Sequence, residues 1–139
     1  MEVFSIDNQS ELRSVAKAIS KLCSGNEVFI IDGEMGAGKT TLVGEICKLL
    51  NVIDAVSSPT YGIVNTYLSE QYGEINHFDF YRIENEEEAI NSGLDEQLNS
   101  GNICFVEWAN KIPKLLPDNC VKVAIEIIDT NRRKIKISI

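Results

Sequence analysis

The chain has 139 residues, 44% of them apolar and 24% charged, a composition ordinary for one globular domain spanning 1–139 that can bury a core without disulfide or metal staples. Thirteen Lys and Arg against 21 Asp and Glu leave a formal net charge of −8, which argues against a protein that grips nucleic acid unaided. No apolar run nears the ~20 residues of a membrane helix. The N-terminus lacks the basic start and long apolar stretch of a secretion signal. Cys23, Cys47, Cys104 and Cys120 form no C-x-x-C pair, so neither a zinc nor a redox motif is expected, and a reduced cytoplasm fits best.

In chain order, residues 3–6 read as a short strand. Asn8 to Glu11 offer N-cap candidates, with Glu11 three after Asn8. Leu12, Val15, Ala16, Ile19, Leu22 and Cys23 then mark one face of a helix over 9–23, and Gly25 suits its stop. Val28 to Ile31 is a buried strand. Leu42, Val43, Ile46, Leu49 and Leu50 give a second helix, over 39–50. Ser57-Ser58-Pro59-Thr60-Tyr61 reads as a turn, and residues 62–68 and 74–81 as a hairpin around Gln71-Tyr72-Gly73. Residues 85–100 are acidic, with one or two short helices interrupted near Gly93. Ile103 to Val106 is a fully apolar strand, and Pro113 and Pro117 bracket a short helix or turn. The tail alternates: Val121, Val123, Ile125 and Ile127, then Ile135, Ile137 and Ile139, predict a terminal antiparallel hairpin. The fold class expected is α/β, a P-loop NTPase-like three-layer arrangement whose mixed sheet is parallel around 27–32 and 103–107, with antiparallel edge strands.

Gly33 to Thr40 read G-E-M-G-A-G-K-T, a full match to the phosphate-binding pattern G-x-x-x-x-G-K-[ST] between strand and helix. In that setting backbone N–H groups and the helix N-terminus converge on phosphate oxygens. Lys39 would reach the β- and γ-phosphates and the Thr40 hydroxyl would hold Mg²⁺. Gly36, Ala37, Gly38, Lys39, Thr40 and Thr41 are the candidate nucleotide contacts.

Hydrolysis also needs an acid on the metal or the attacking water. Glu107 ends an apolar strand, at the edge of an α/β sheet that faces the ligand crevice. Period-two alternation in His77-Phe78-Asp79-Phe80-Tyr81-Arg82 sends the phenylalanines to the core and leaves His77, Asp79 and Tyr81 together. His77, the one histidine, reads as structural in preference to catalytic. Thr60 is either a switch threonine near the metal or a plain turn residue. Arg82 reads as an ion-pair partner of nearby acids, and Trp108 as packing or as a contact for nucleotide or partner. Asn110-Lys111-Ile112-Pro113 has proline where a guanine-reading Asp would stand in N-K-x-D, so guanine specificity is not expected.

Taken together, G-E-M-G-A-G-K-T-T at 33–41, S-P-T-Y at 58–61, H-F-D-F-Y-R at 77–82 and E-W at 107–108 resemble, over nearly the whole length, the bacterial TsaE (YjeE-type) family. The resemblance implies a small P-loop ATPase needed for threonylcarbamoyl modification of adenosine in tRNA, with ATP and Mg²⁺ as ligands and a TsaB–TsaD-type pair as partner. It implies that Thr40 and Glu107 hold the metal, that Asp79 is needed for hydrolysis, that Thr60 lies in a mobile segment, and that Ser10 and Arg132 approach the nucleotide. Contact with tRNA is expected to be indirect or weak. A small-molecule kinase and a non-hydrolysing nucleotide-binding module are the alternatives. The acidic 85–100 segment, free of the arginines a kinase lid carries, argues against the first. The pairing of Glu107 with Asp79 argues against the second.

Overall fold

In the computed structural model, which describes residues 1–57, 59 and 63–139, the strands are β1 (Glu2–Ile6), β2 (Val28–Gly33), β3 (Val64–Ser69), β4 (Gly73–Asp79), β5 (Ile103–Glu107), β6 (Cys120–Ile127) and β7 (Arg133–Ser138). They form one seven-stranded sheet in the order β1-β7-β6-β2-β5-β4-β3. The two unbroken apolar runs, β2 and β5, lie side by side in parallel at its centre, where both faces are covered. Each hairpin lends one strand to this parallel core. β6 runs parallel to β2 and β4 runs parallel to β5, so only β7 and β3 run against the core, and β1, paired antiparallel with β7, runs with it.

Alternation sorts the strand side chains between two helical layers. Helices α1 (Leu12–Leu22) and α2 (Lys39–Leu49) bury Leu12, Val15, Ala16, Ile19, Leu42, Val43 and Ile46 against Phe29, Ile31, Phe105, Val121 and Val123. On the other face α3 (Glu86–Asn91) and α4 (Leu94–Leu98), separated by Gly93, cover Val28, Phe78, Phe80, Cys104 and Val106. The β6–β7 end of that face is bare, with Lys122, Ala124, Glu126 and Lys136 exposed. Asn8 caps a short 3₁₀ turn, Gln9–Glu11, and Glu11 returns to the Asp7 N–H at 3.1 Å rather than to Asn8. Cys23 and Cys47 are buried free thiols that desolvation pushes up to about 12, as befits core residues. No helix among the described residues is long and apolar enough to cross a membrane.

Phe105 sits at the middle of this arrangement, fully buried and 5.5 Å from Phe29 between ring centroids. Phe105→Ala should lower the unfolding free energy by about 3–5 kcal/mol in a urea titration. Ile139→Ala, at a residue 85% exposed, should change it by less than ~0.5 kcal/mol.

Candidate active site

The phosphate loop fills the turn from β2 to α2, as the motif requires. Gly36 and Gly38 adopt φ of 83° and 106°, a region L side chains rarely enter. Gly33 closes on β6: a Cβ there would lie 2.9 Å from the Ile125 carbonyl oxygen. The parallel register sets Asp79, at the end of β4, beside Glu107, at the end of β5, so both acids reach the carboxyl edge next to the loop.

Glu107 is 3% exposed and richly bonded. The Thr40 hydroxyl donates to its Oε2 at 3.0 Å, and His77 Nε2 meets the same oxygen at 2.6 Å. His77 is fully buried, and its Nδ1 lies 3.1 Å from the Tyr67 hydroxyl, whose single proton also has the Ser57 carbonyl within reach at 2.8 Å. Lys39 is folded inward. Its Nζ donates to the Gly33 carbonyl at 2.7 Å and sits 3.9 Å above the centre of the Trp108 ring. Burial pushes the Lys39 ammonium below its usual range, while Glu107, Asp79 and Asp32 pull it back up. Trp108 has φ 58°, a left-handed backbone at a non-glycine residue, immediately after Glu107. Its ring packs on Tyr81 at 4.9 Å. Asp79 accepts from the Tyr81 N–H at 3.0 Å, yet desolvation, with Glu107 adding to it, raises its carboxyl above the ordinary range.

Two hollows flank the loop. One, of about 360 Å³, is lined by Gly36, Gly38, Lys39, Thr40, Thr41, Asp79, Glu107 and Trp108, among others. The second, of about 200 Å³, lies between the loop, Gln9, Leu12 and the β6–β7 turn at Thr130, Asn131 and Arg133. A larger hollow of about 720 Å³ opens at the opposite end of the parallel strands, around Asn26, Asn102 and Asn119, away from every group just described. The phosphate loop and the strand-end acids border the smaller pair.

A sequence profile described as "Threonylcarbamoyl adenosine biosynthesis protein TsaE" matches residues 6–135. The chain belongs to the TsaE family. It is similar to proteins named tRNA threonylcarbamoyladenosine biosynthesis protein TsaE from several bacteria. With that of Rickettsia felis it shares 33% identity over 92% of this chain and 74% of the relative. With that of Bacillus subtilis it shares 32% over 92% and 79%, and with that of Aquifex aeolicus 34% over 95% and 92%. The crystal structure of Bacillus subtilis YdiB superposes with a TM-score of 0.75 at 25% identity, covering 98% of this chain and 83% of that one.

The structure brings Gly36, Ala37, Gly38, Lys39, Thr40, Thr41, Asp79 and Glu107 to the two hollows. Thr60 lies outside the described residues. Ser10 and Arg132 line neither hollow. Ser10 turns back to the Asn8 side chain, and Arg132 pairs with Asp129 at 2.6 Å on the surface. Their neighbours Gln9 and Arg133 line the second hollow instead. Arg133 also clasps the loop, donating from Nε to the Ala37 carbonyl at 3.1 Å. A signal for Arg133 was present: counting back by twos from Ile137 and Ile135 places it on the loop face. Tyr81 does not join His77, because β4 ends at Asp79 and the turn carries Tyr81 out to Trp108.

Because Asp79 has a raised carboxyl, the folded chain holds more protons than the unfolded one between the ordinary carboxylate range and that raised value. Stability therefore falls as pH rises through that window, and the loss persists at neutral pH. Asp79→Asn keeps an acceptor for the Tyr81 N–H and removes the charge. It should raise the thermal midpoint at pH 7, and calorimetric scans should show the gain vanishing as pH drops below the ordinary carboxylate range.

Proposed function

We propose that this TsaE-family chain is the ATP-binding and ATP-hydrolysing subunit for threonylcarbamoyl modification of adenosine in tRNA, acting with a TsaB–TsaD-type complex that hydrolysis resets. The observation supporting this most directly is the 3.0 Å bond from the loop hydroxyl of Thr40 to the strand-end carboxylate of Glu107, beside Lys39 and Asp79. Binding alone needs the loop; pairing its hydroxyl with a buried acid supports a site that also holds the cation of a phosphoryl-transfer reaction.

The donors fit a magnesium nucleotide. Among the described residues no group of three His, Cys, Asp or Glu side chains is arranged to hold an ion alone. That suits a hard cation taking most of its ligands from phosphate and water, with one hydroxyl and one or two carboxylates from protein. Thr40 and Glu107 would hold Mg²⁺, which neutralises charge developing on the phosphate oxygens. Lys39 exchanges the Gly33 carbonyl and the Trp108 face for phosphate. The N–H groups of the loop and of the first turn of α2 bind phosphate oxygens. Asp79, at the hollow's mouth, orients the attacking water and takes up its proton. Gln9, Asn131 and Arg133 border the hollow on the other side of the loop, which suits the nucleoside.

Lys39→Ala should abolish ATP binding in calorimetry and leave the fold intact, since the side chain bonds to loop and ring rather than to apolar core. Glu107→Gln should retain binding and lose hydrolysis by about 10²–10³ in rate. The test of the whole reading is ATP turnover by the chain alone and after adding a TsaB–TsaD-type pair with tRNA: slow alone, faster with partners. Turnover unaffected by the partners would overturn the assembly role. With a net charge of −8 and its densest basic stretch confined to Arg132, Arg133, Lys134 and Lys136, the isolated chain should bind tRNA weakly or not at all at physiological salt. A filter-binding titration giving submicromolar affinity would contradict this.

A further inference from the structure

We propose that His77 is the positioning residue for the Glu107 carboxylate, with Tyr67 fixing the orientation and tautomer of its ring. The inference rests on the role given to Glu107 above. It begins from donor accounting around one oxygen. Glu107 Oε2 is met by the Thr40 hydroxyl from α2 at 3.0 Å and by His77 Nε2 from β4 at 2.6 Å. An ionised carboxylate only accepts, so Nε2 carries a proton toward it. The short distance marks a charge-assisted bond. Nδ1 then faces the Tyr67 hydroxyl at 3.1 Å. The Ser57 carbonyl that this hydroxyl also contacts has a second donor in Asn65 Nδ2 at 3.0 Å, which lets the Tyr67 proton serve Nδ1.

Both ring nitrogens are therefore taken by protein groups, and the ring has no exposed surface. His77 cannot touch nucleotide or water; its influence passes through Glu107. Thr40 must turn its hydroxyl toward the metal on the proposed reading. The imidazole is then the donor that keeps Oε2, and with it the plane of the carboxylate, where it was before nucleotide arrived. A supporting donor of this kind accounts for roughly 10–100-fold in affinity or activity at a metal site.

The single histidine makes the test direct. In the nucleotide-free protein, proton–nitrogen NMR of the imidazole should show a protonated Nε2 with a downfield, exchange-protected signal. That signal should move upfield in Glu107→Gln. In Tyr67→Phe the Nδ1 resonance should shift while the Nε2 proton stays. In hydrolysis assays His77→Leu should lower kcat by about 10–100-fold with KM for ATP within about twofold of wild type, the pattern of a lost transition-state contribution. His77→Gln, whose amide N–H reaches where Nε2 stood, should recover to within about threefold of wild type. The Leu change should add nothing to Glu107→Gln. Should the Leu variant fail to fold, the Gln variant and the spectrum still decide. An Nδ1-protonated ring, a Gln variant well below wild type, or a folded Leu variant turning over at the wild-type rate while Glu107→Gln is inactive would each overturn the proposal. Wild-type hydrolysis in Glu107→Gln is a different failure. It would remove the role of Glu107 itself, and this proposal with it.

Discussion

A carboxylate buried at the end of a wholly buried strand is the constraint around which this fold is arranged. All five residues of β5 are shielded, and the last is Glu107. Removing an ion of that size from water costs several kcal/mol even after the protein relaxes (roughly) unless donors replace the lost solvent. The replacements come from separate elements: Thr40 from the first turn of α2 and His77 from β4. The acid thus fixes where α2 begins relative to β5 and which face of β4 turns inward. The β4–β5 register places His77 opposite Phe105 and Asp79 opposite Glu107. A slip of one residue would turn His77 to the far face and strand the carboxylate without its imidazole.

The same neighbourhood holds several features that packing alone would not select. Lys39 is buried to 6% exposure and rests between a carbonyl and an indole. Trp108 takes a backbone conformation costly for its type in order to reach that lysine. Asp79 stays half-buried although desolvation disfavours its charge. Perturbed groups gathered in one cleft support the reading of a working site, where stability is given up for chemistry. Elsewhere the described residues obey ordinary rules, with no buried side-chain polar atom lacking a partner.

Local patterns carried most of the fold into view from sequence. The glycine motif, the unbroken runs of β2 and β5 and the alternation of the tail each speak for themselves over a few residues. What they could not convey was pairing between distant segments. Nothing within 73–79 or 120–127 says that these strands run parallel to β5 and β2, because that follows from the path of the connections. The site divides along the same line. Loop residues and strand-end acids were legible because their chemistry demands fixed local spacing. The imidazole against Glu107 was not, since thirty positions separate the two and a lone histidine on a strand has no signature of its own. Arg132 was expected near the nucleotide from the family resemblance, yet the strand starts at Arg133. Asp129 accepts from the backbone and guanidinium of Arg132, which holds its carboxyl down to about 2 and keeps Arg132 at the turn.

Charge in the cleft bears on how a polyphosphate could be accepted at all. Lys39 has Glu107, Asp79 and Asp32 close enough to act on it. Even with Arg133 on the far side of the loop, three acids around Lys39 leave little positive field, so the loop's amide dipoles would have to hold several negative charges against the local potential. On the proposed reading that conflict explains the cation requirement. A metal ion held by Thr40 and Glu107 would reverse the sign of the site, and nucleotide would then bind as a magnesium complex rather than as a free polyanion. It also explains why the acids face inward. In a chain of net charge −8, acids scattered over the surface would repel nucleotide without giving the metal a place to sit. Glu107 would give it that place, and Asp79, in register at the adjacent strand end, would stand ready to accept the proton that hydrolysis releases.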